Sequence, residues 1–179
     1  IHAEVVRGLA ARGREKISGN FRAAVFGAND GLVSNLALVV GIMGSGVSSN
    51  LILLTGISGL LAGALSMAAG EYVSVASQRD AEHADLAKEE AELEAHPEAE
   101  LRELTEIYVH RGLDRELAQQ VAEQLHDHDA LGAHLRDELN LDPSSFARPL
   151  QAAAVSAVWF ALGAAIPLLV GVVSPHESR

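Results

Sequence analysis

Asp30, Met67 and Glu71 sit inside two long apolar stretches of this 179-residue chain, where charged side chains are otherwise scarce. An ionisable residue at hydrocarbon depth is costly and commonly marks an ion route. Asp30 belongs to N-D-G-L-V-S-N, residues 29–35, with Ser34 one helical turn along on the same face. Gly59, Gly63, Met67 and Glu71 recur every four residues and so share one stripe of a helix, with Ser66, Gly70 and Ser74 on a neighbouring stripe. The glycines read equally well as a face for close helix contact. That reading leaves Glu71 unexplained, because a carboxylate in apolar surroundings needs a partner, a proton or water. It could carry a proton at one stage and face a metal at another. Asp30 also has two readings. Asn29-Asp30-Gly31 can cap a helix that begins at Gly31, but a helix from there to Gly46 spans only about 24 Å of a ~30 Å hydrocarbon core. A start near Phe21 restores the length and puts Asp30 within the span.

A second set of chemical groups lies in residues 79–149, which hold 19 Asp and Glu against 7 Lys and Arg, a net of −12 within a chain of −11. Such a segment repels nucleic acid and attracts cations. Glu89 and Glu92 lie three apart, as do Glu100 and Glu103, so each pair leaves one side of its helix. Carboxylate oxygens suit Fe²⁺, Mn²⁺ or Mg²⁺, and imidazole shifts the preference toward iron, zinc and other transition metals. His83, His96, His110, His126, His128 and His134 all fall in this segment. Glutamate-rich helices are also commonly no more than solvated faces. One E-x-x-H is present, Glu123 to His126, where a ferritin-type di-iron bundle needs two. With no cysteine, thiolate sites, disulfides and cysteine nucleophiles are excluded. No phosphate-binding glycine loop, H-E-x-x-H or Ser/His/Asp pattern is evident, and no enzyme is expected.

The elements that must position these groups are helices. Phe21–Gly46 and Leu51–Ala76 are each long enough to cross a bilayer, and the uncharged turn Ser45–Asn50 between them allows only an antiparallel hairpin. Leu150–Val173 is a third span, with Pro167 expected to kink it. The basic N-terminal arm carries Arg7, Arg12, Arg14, Lys16 and Arg22, and the turn carries no Lys or Arg, which places the arm and the acidic segment on the cytoplasmic side. Within that segment the second span continues through Gln78–Glu94. Pro97 opens another helix that ends near Arg111-Gly112. Asp114 caps a last one, from Arg115 to about Leu139, ended by Asn140 and Pro143. Leu101, Leu104, Ile107 and Tyr108 form the apolar face of the former, and Leu117, Val121, Leu125, Leu131 and Leu135 that of the latter.

The segments D-G-L-V-S-N-L-A-L-V-V-G-I and S-M-A-A-G-E-Y-V-S-V-A-S-Q-R-D, with the acidic helices after them, resemble the vacuolar iron transporter family from about Ser18 to Val173. The upstream S-G-N-F-R-A-A-V-F-G-A-N-D-G is most similar to bacterial members, some of which carry an N-terminal ferritin-like domain. The resemblance implies a homodimeric transporter that exchanges cytosolic Fe²⁺, and also Mn²⁺, for protons. It implies that Asp30 and Met67 line the pathway at the dimer interface and that Glu71 belongs to the same route. It further implies metal ligation by Glu89, Glu92, Glu100, Glu103, His134 and Glu138, with His134 standing where the family has methionine. The family has five spans and this chain supplies three, so a fragment of a longer protein, or a truncated product, is expected.

The expected architecture is all-α: a polytopic membrane protein with three transmembrane helices and a cytoplasmic three-helix acidic module. Its segments are a basic arm (1–20), spans 1 and 2 (21–78), the metal-binding module (79–149), span 3 (150–174) and a tail (175–179). The leading function is Fe²⁺ and Mn²⁺ transport by proton antiport across a bacterial inner membrane, with Fe²⁺ as substrate and ligand and Mn²⁺ or Zn²⁺ as further ligands. Its partners are metal ions, the lipid bilayer and a second copy of the chain, and no nucleic acid. The alternative is a membrane-anchored metal-binding or sensing module without transport. A di-iron oxidase-like bundle, and a helical membrane protein with a merely solvated acidic face, complete the set.

Overall fold

The computed structural model describes residues 2–142 and 146–173, with side chains from residue 21 onward. Five helices follow in order: α1 (His2–Met43), α2 (Ser49–Ala95), α3 (Pro97–His110), α4 (Arg115–Asp137) and α5 (Pro149–Val173), with no strand among the described residues. Two compact units emerge, one from residues up to Val75 and from Arg148 on, the other Ala76–Ala147. The expected stop at Pro143 and the tail 175–179 lie outside the described residues.

In the first unit α1 packs on α5 through small residues. A Cβ at Gly31 would run into the Phe160 carbonyl, and one at Gly163 into the Ala28 carbonyl, so the two backbones approach too closely for any side chain there. Asn35 Nδ2 donates to the Ala164 carbonyl at 2.7 Å from a buried position. Pro167 sits inside α5, and the helix continues through it. On α2, Gly63 accommodates the Phe160 ring, and Gly59 lies against Leu38 and Asn35. The close-contact reading of these two glycines is therefore the one their surroundings support. Val39, Ile52, Ser156, Phe160 and Ala164 fill the core between the helices.

The rest of this unit is apolar on its outside. Phe21–Met43, Ser49–Ala95 and Pro149–Val173 are long and apolar enough to cross a membrane, yet the protein itself covers only 22%, 11% and 39% of their apolar windows. Leu54, Leu65, Val73, Leu150 and Leu169 stand exposed. A water-soluble helix hides its apolar stripe and leaves a polar face outside. Helices that are apolar all round require hydrocarbon or protein to cover them. The alternative in which Asp30 caps a helix starting at Gly31 is corrected: α1 runs through that point, and Asp30 lies about 14 Å along the axis from Phe21.

The second unit is built on the part of α2 from Ala76, with α3 and α4. Pro97 occupies the first turn of α3, and Gly112, at φ +102°, ends it in a conformation that glycine adopts without strain. Asp114 caps α4 by accepting from Leu117 N at 3.0 Å. Leu104, Tyr108, Ala118, Ala122 and Ala133 form the core. Of the expected face of α4, Leu135 is buried and Val121 and Leu125 pack against this core, but Leu117 is a correction: it is exposed, and Ala118 and Ala122 are buried instead. A second correction is a break within α4. Asp129 leaves helical geometry (φ −163°, ψ 77°) and its carboxylate accepts from Gly132 N at 2.9 Å, so it caps a short terminal segment that runs on to Asp137. A Cβ at Gly132 would collide with that carboxylate. The helix ends at Asp137, two residues before the expected Leu139, and Asn140 takes a positive φ of 53°.

The far end of this segment is held from α3. Tyr108 Oη donates to Asp137 Oδ2 at 2.7 Å, and the Arg111 guanidinium donates to Asp137 Oδ1 and, at 2.8 Å, to its backbone carbonyl. Burial and the neighbouring carboxylate push the Tyr108 phenol well above its usual range. Tyr108→Phe removes a hydrogen bond to a charged group and should cost about 1.5 kcal/mol, read as a lowered midpoint in chemical unfolding of the full chain followed by circular dichroism.

Candidate metal centre

Two constellations hold the residues singled out above. The first, in the apolar unit, is an open cleft of about 390 Å³ lined by Asp30, Ser34, Gly63, Ser66, Met67, Gly70, Glu71 and Phe160. Asp30 and Ser34 come from α1 and share a face, and the Ser34 hydroxyl donates back to the Asp30 carbonyl. Gly63, Met67 and Glu71 come from the four-residue stripe of α2, and the glycine leaves the space that Phe160 of α5 enters. Met67 and Glu71 are half-buried and Asp30 is exposed in the single chain. Two carboxylates and a thioether thus face one apolar-walled space. Carboxylate oxygen replaces part of a cation's water shell, and a soft sulfur favours transition metals over Mg²⁺ or Ca²⁺.

The second, in the acidic unit, is tighter. Glu89 of α2, Glu100 of α3, His134 of α4 and Glu138 at the C-cap of α4 each offer one donor atom, and these atoms all lie within 4.8 Å of one another. His134 Nδ1 is 3.0 Å from Glu138 Oε2, 3.1 Å from Glu89 Oε1 and 3.8 Å from Glu100 Oε2. A metal–donor length of about 2.1 Å places neighbouring donors of one octahedral ion about 3.0 Å apart and of one tetrahedral ion about 3.4 Å apart. The observed spacings fall in and near that range. His134 is wholly buried, Glu89 and Glu100 are buried, and the Glu138 side chain is one-quarter exposed, at 25%.

Local structure explains each placement. Glu100 lies in the first turn of α3, where the free backbone N–H groups favour a carboxylate. His134 and Glu138 are four apart on the segment that Asp129 begins. Glu89 faces inward from α2, while Glu92 turns outward and pairs with Lys88 Nζ at 2.9 Å on the same helix. Glu103 is exposed and stands outside the four-donor group, although it feels the charges of Glu138 and Glu100. The structure therefore brings together four of the six expected ligands and leaves Glu92 and Glu103 at the margin.

Electrostatics favour a cation here. Burial, and then the charge of Glu138, push the Glu89 carboxyl upward, partly offset by His134. Burial followed by Glu138 and Glu100 does the same to Glu103. One Nδ1 proton cannot serve three carboxylates. Its aligned contact goes to Glu138, and Glu89 Oε1, though 3.1 Å away, is left without a hydrogen bond. Buried negative charge of this kind is destabilising until a cation joins it.

Glu123 does not enter the group, since its carboxylate accepts from Gln119 on the surface at 2.8 Å, which removes the E-x-x-H pair as a di-iron element. The break at Asp129 escaped the sequence reading. Its signal was present in Asp129-Ala-Leu-Gly132, an Asp three residues before a small residue with a free N–H.

The sequence model of the VIT family matches residues 21–179. A protein of Acanthamoeba castellanii named "Vacuolar iron transporter" is 48% identical over 160 residues, covering 89% of this chain and 58% of that protein. "Vacuolar iron transporter 1" of Arabidopsis thaliana is 34% identical over 157 residues, 87% of this chain and 63% of its own length. "Vacuolar iron transporter" of Toxoplasma gondii is 43% identical over 103 residues, 57% of this chain and 34% of its own. The chain thus spans about three-fifths of the Acanthamoeba and Arabidopsis proteins.

Proposed function

The chain belongs to the VIT family, and from that premise we propose that it is part of a membrane transporter for Fe²⁺, with Mn²⁺ as a second substrate, driven by proton exchange. Relatives named as vacuolar iron transporters support the metal and its passage across a membrane. The observation that carries the reading is the convergence of Glu89, Glu100, His134 and Glu138 within 4.8 Å. This group captures the ion in the cytoplasm, with Glu92 and Glu103 as the outer carboxylates that draw it in. Asp30, Met67 and Glu71 then receive it within the membrane. Each replaces part of its hydration shell, and a carboxylate takes up a proton when the metal leaves. Two copies of the chain close the route, with Asp30 and Met67 at their interface and the apolar flanks in the bilayer of a bacterial inner membrane. No covalent chemistry is involved.

Full-length protein in proteoliposomes, offered Fe²⁺ without oxygen against an outward proton gradient, should load metal into the lumen as protons leave, followed by a chelating dye and a pH dye. Saturable binding without any flux would reject transport and favour the membrane-anchored binding module.

A further inference from the structure

Two imidazole nitrogens in the acidic unit are buried without a hydrogen-bond partner: Nε2 of His134 and Nδ1 of His126. The rings meet edge to face, at 78°, with centroids 6.4 Å apart. His126 lies before the Asp129 break in α4 and His134 after it. The two orphans are complementary. His134 turns Nδ1 to the three carboxylates, so ligation through Nδ1 forces its remaining proton onto Nε2, as a donor. A metal-bound histidine almost always gives that second N–H to an acceptor, which fixes tautomer and ring orientation. His126 Nδ1 is an acceptor whenever its own proton sits on Nε2. Ring nitrogens stand about 1.1 Å from the ring centre, so with centroids 6.4 Å apart the two atoms come no closer than about 4.2 Å, too far for a direct hydrogen bond and, near that approach, within reach of one bridging water.

We propose that His126 is a positioning residue for the metal ligand His134: through one bridging water it accepts the Nε2 proton and holds the ring with Nδ1 toward Glu89, Glu100 and Glu138. The inference rests on the metal reading of that cluster. It gives His126 a purpose that the E-x-x-H motif did not. Buried polar groups need such a partner, and a water with two polar neighbours is a common one.

The test is calorimetric titration of the full chain in detergent with Zn²⁺, for wild type, His126→Phe and His126→Gln. Phe keeps the ring volume and removes the acceptor, and affinity should fall about ten- to a hundredfold. Gln keeps an acceptor and should recover most of the loss. In Zn²⁺-loaded, ¹⁵N-histidine-labelled wild type, the His134 Nε2 proton should show a hydrogen-bonded downfield shift that His126→Phe removes. Wild-type affinity and an unmoved proton in His126→Phe overturn the role. Equal losses in Phe and Gln, with the proton unmoved, reduce His126 to packing and overturn it as well. A wild-type chain that binds no Zn²⁺ defeats the metal reading itself, a result distinct from either.

Discussion

Asp30→Ala in the full-length protein should abolish proton-coupled Fe²⁺ uptake, lowering the initial rate at least about a hundredfold, which corresponds to about 2.7 kcal/mol of lost barrier stabilisation. The reason is the poverty of the cleft. Among its lining residues only Asp30 and Glu71 are ionisable, and Met67 adds one weak sulfur donor. A divalent ion in apolar surroundings needs its charge matched, and removing one of two carboxylates leaves it short of both charge and oxygen ligands. Asp80→Asn makes a comparable change of charge outside the cleft, on a side chain 71% exposed and paired with Arg79, and should transport as wild type does. Undiminished flux in Asp30→Ala would refute the pathway.

Glu89→Gln should lower Fe²⁺ and Zn²⁺ affinity at least about a hundredfold while raising the thermal stability of the metal-free protein near neutral pH. Both effects have one origin. The Glu89 and Glu103 carboxyls are pushed upward from their ordinary value of 4.5, chiefly by burial. A folded state that holds protons the unfolded state has released loses stability as pH rises, from that ordinary value through the raised one. The metal-free fold is therefore steadier at the acid end of this window and weaker above it. Metal binding requires the ionised carboxylates and strengthens over the same range. At a metal concentration a hundred times the dissociation constant, the bound ion adds about 2.7 kcal/mol to wild type. The amide keeps the shape of Glu89 but neither ionises nor binds metal well. The pH slope of the apo melting temperature should flatten, and the upward shift with Zn²⁺ should vanish. Melting curves at several pH values with and without Zn²⁺ check both, and an unchanged metal shift in Glu89→Gln would remove Glu89 from the centre.

Much of this was legible before any coordinates. Apolar runs of span length identify α1, α2 and α5 because hydrocarbon demands continuous burial of backbone polar groups, and few soluble helices are so uniform. Asp114, Pro97 and Gly112 mark helix ends through local chemistry that tertiary packing rarely overrides. The four-residue recurrence that carries Gly63, Met67 and Glu71 predicted a shared face, and these three do line one cleft with Asp30. The acidic cluster was less readable. Spacing alone ranks Glu89 with Glu92 and Glu100 with Glu103, since residues three apart share a helix side. Which of each pair turns inward depends on the neighbouring helices and on competitors such as Lys88, which takes Glu92. Leu117 was misjudged for a related reason. Periodicity favours large side chains, but near Leu117 it is Ala118 and Ala122 that are fully buried, with Val121 and Leu125 packed beside them. The Asp129 break depends on a side chain replacing one backbone bond with another, an event that hydrophobic pattern does not register.

That break has an evolutionary corollary. Two of the four donors ride on a splint of roughly two turns, tethered at one end by Asp129 through Gly132 and at the other by Tyr108 and Arg111 through Asp137. Exchanging a tether residue would reset the bite of the donors by fractions of an ångström while leaving every donor in place. Sequence change at these tethers is thus a route by which the spacing of the donors could alter without the loss of any donor.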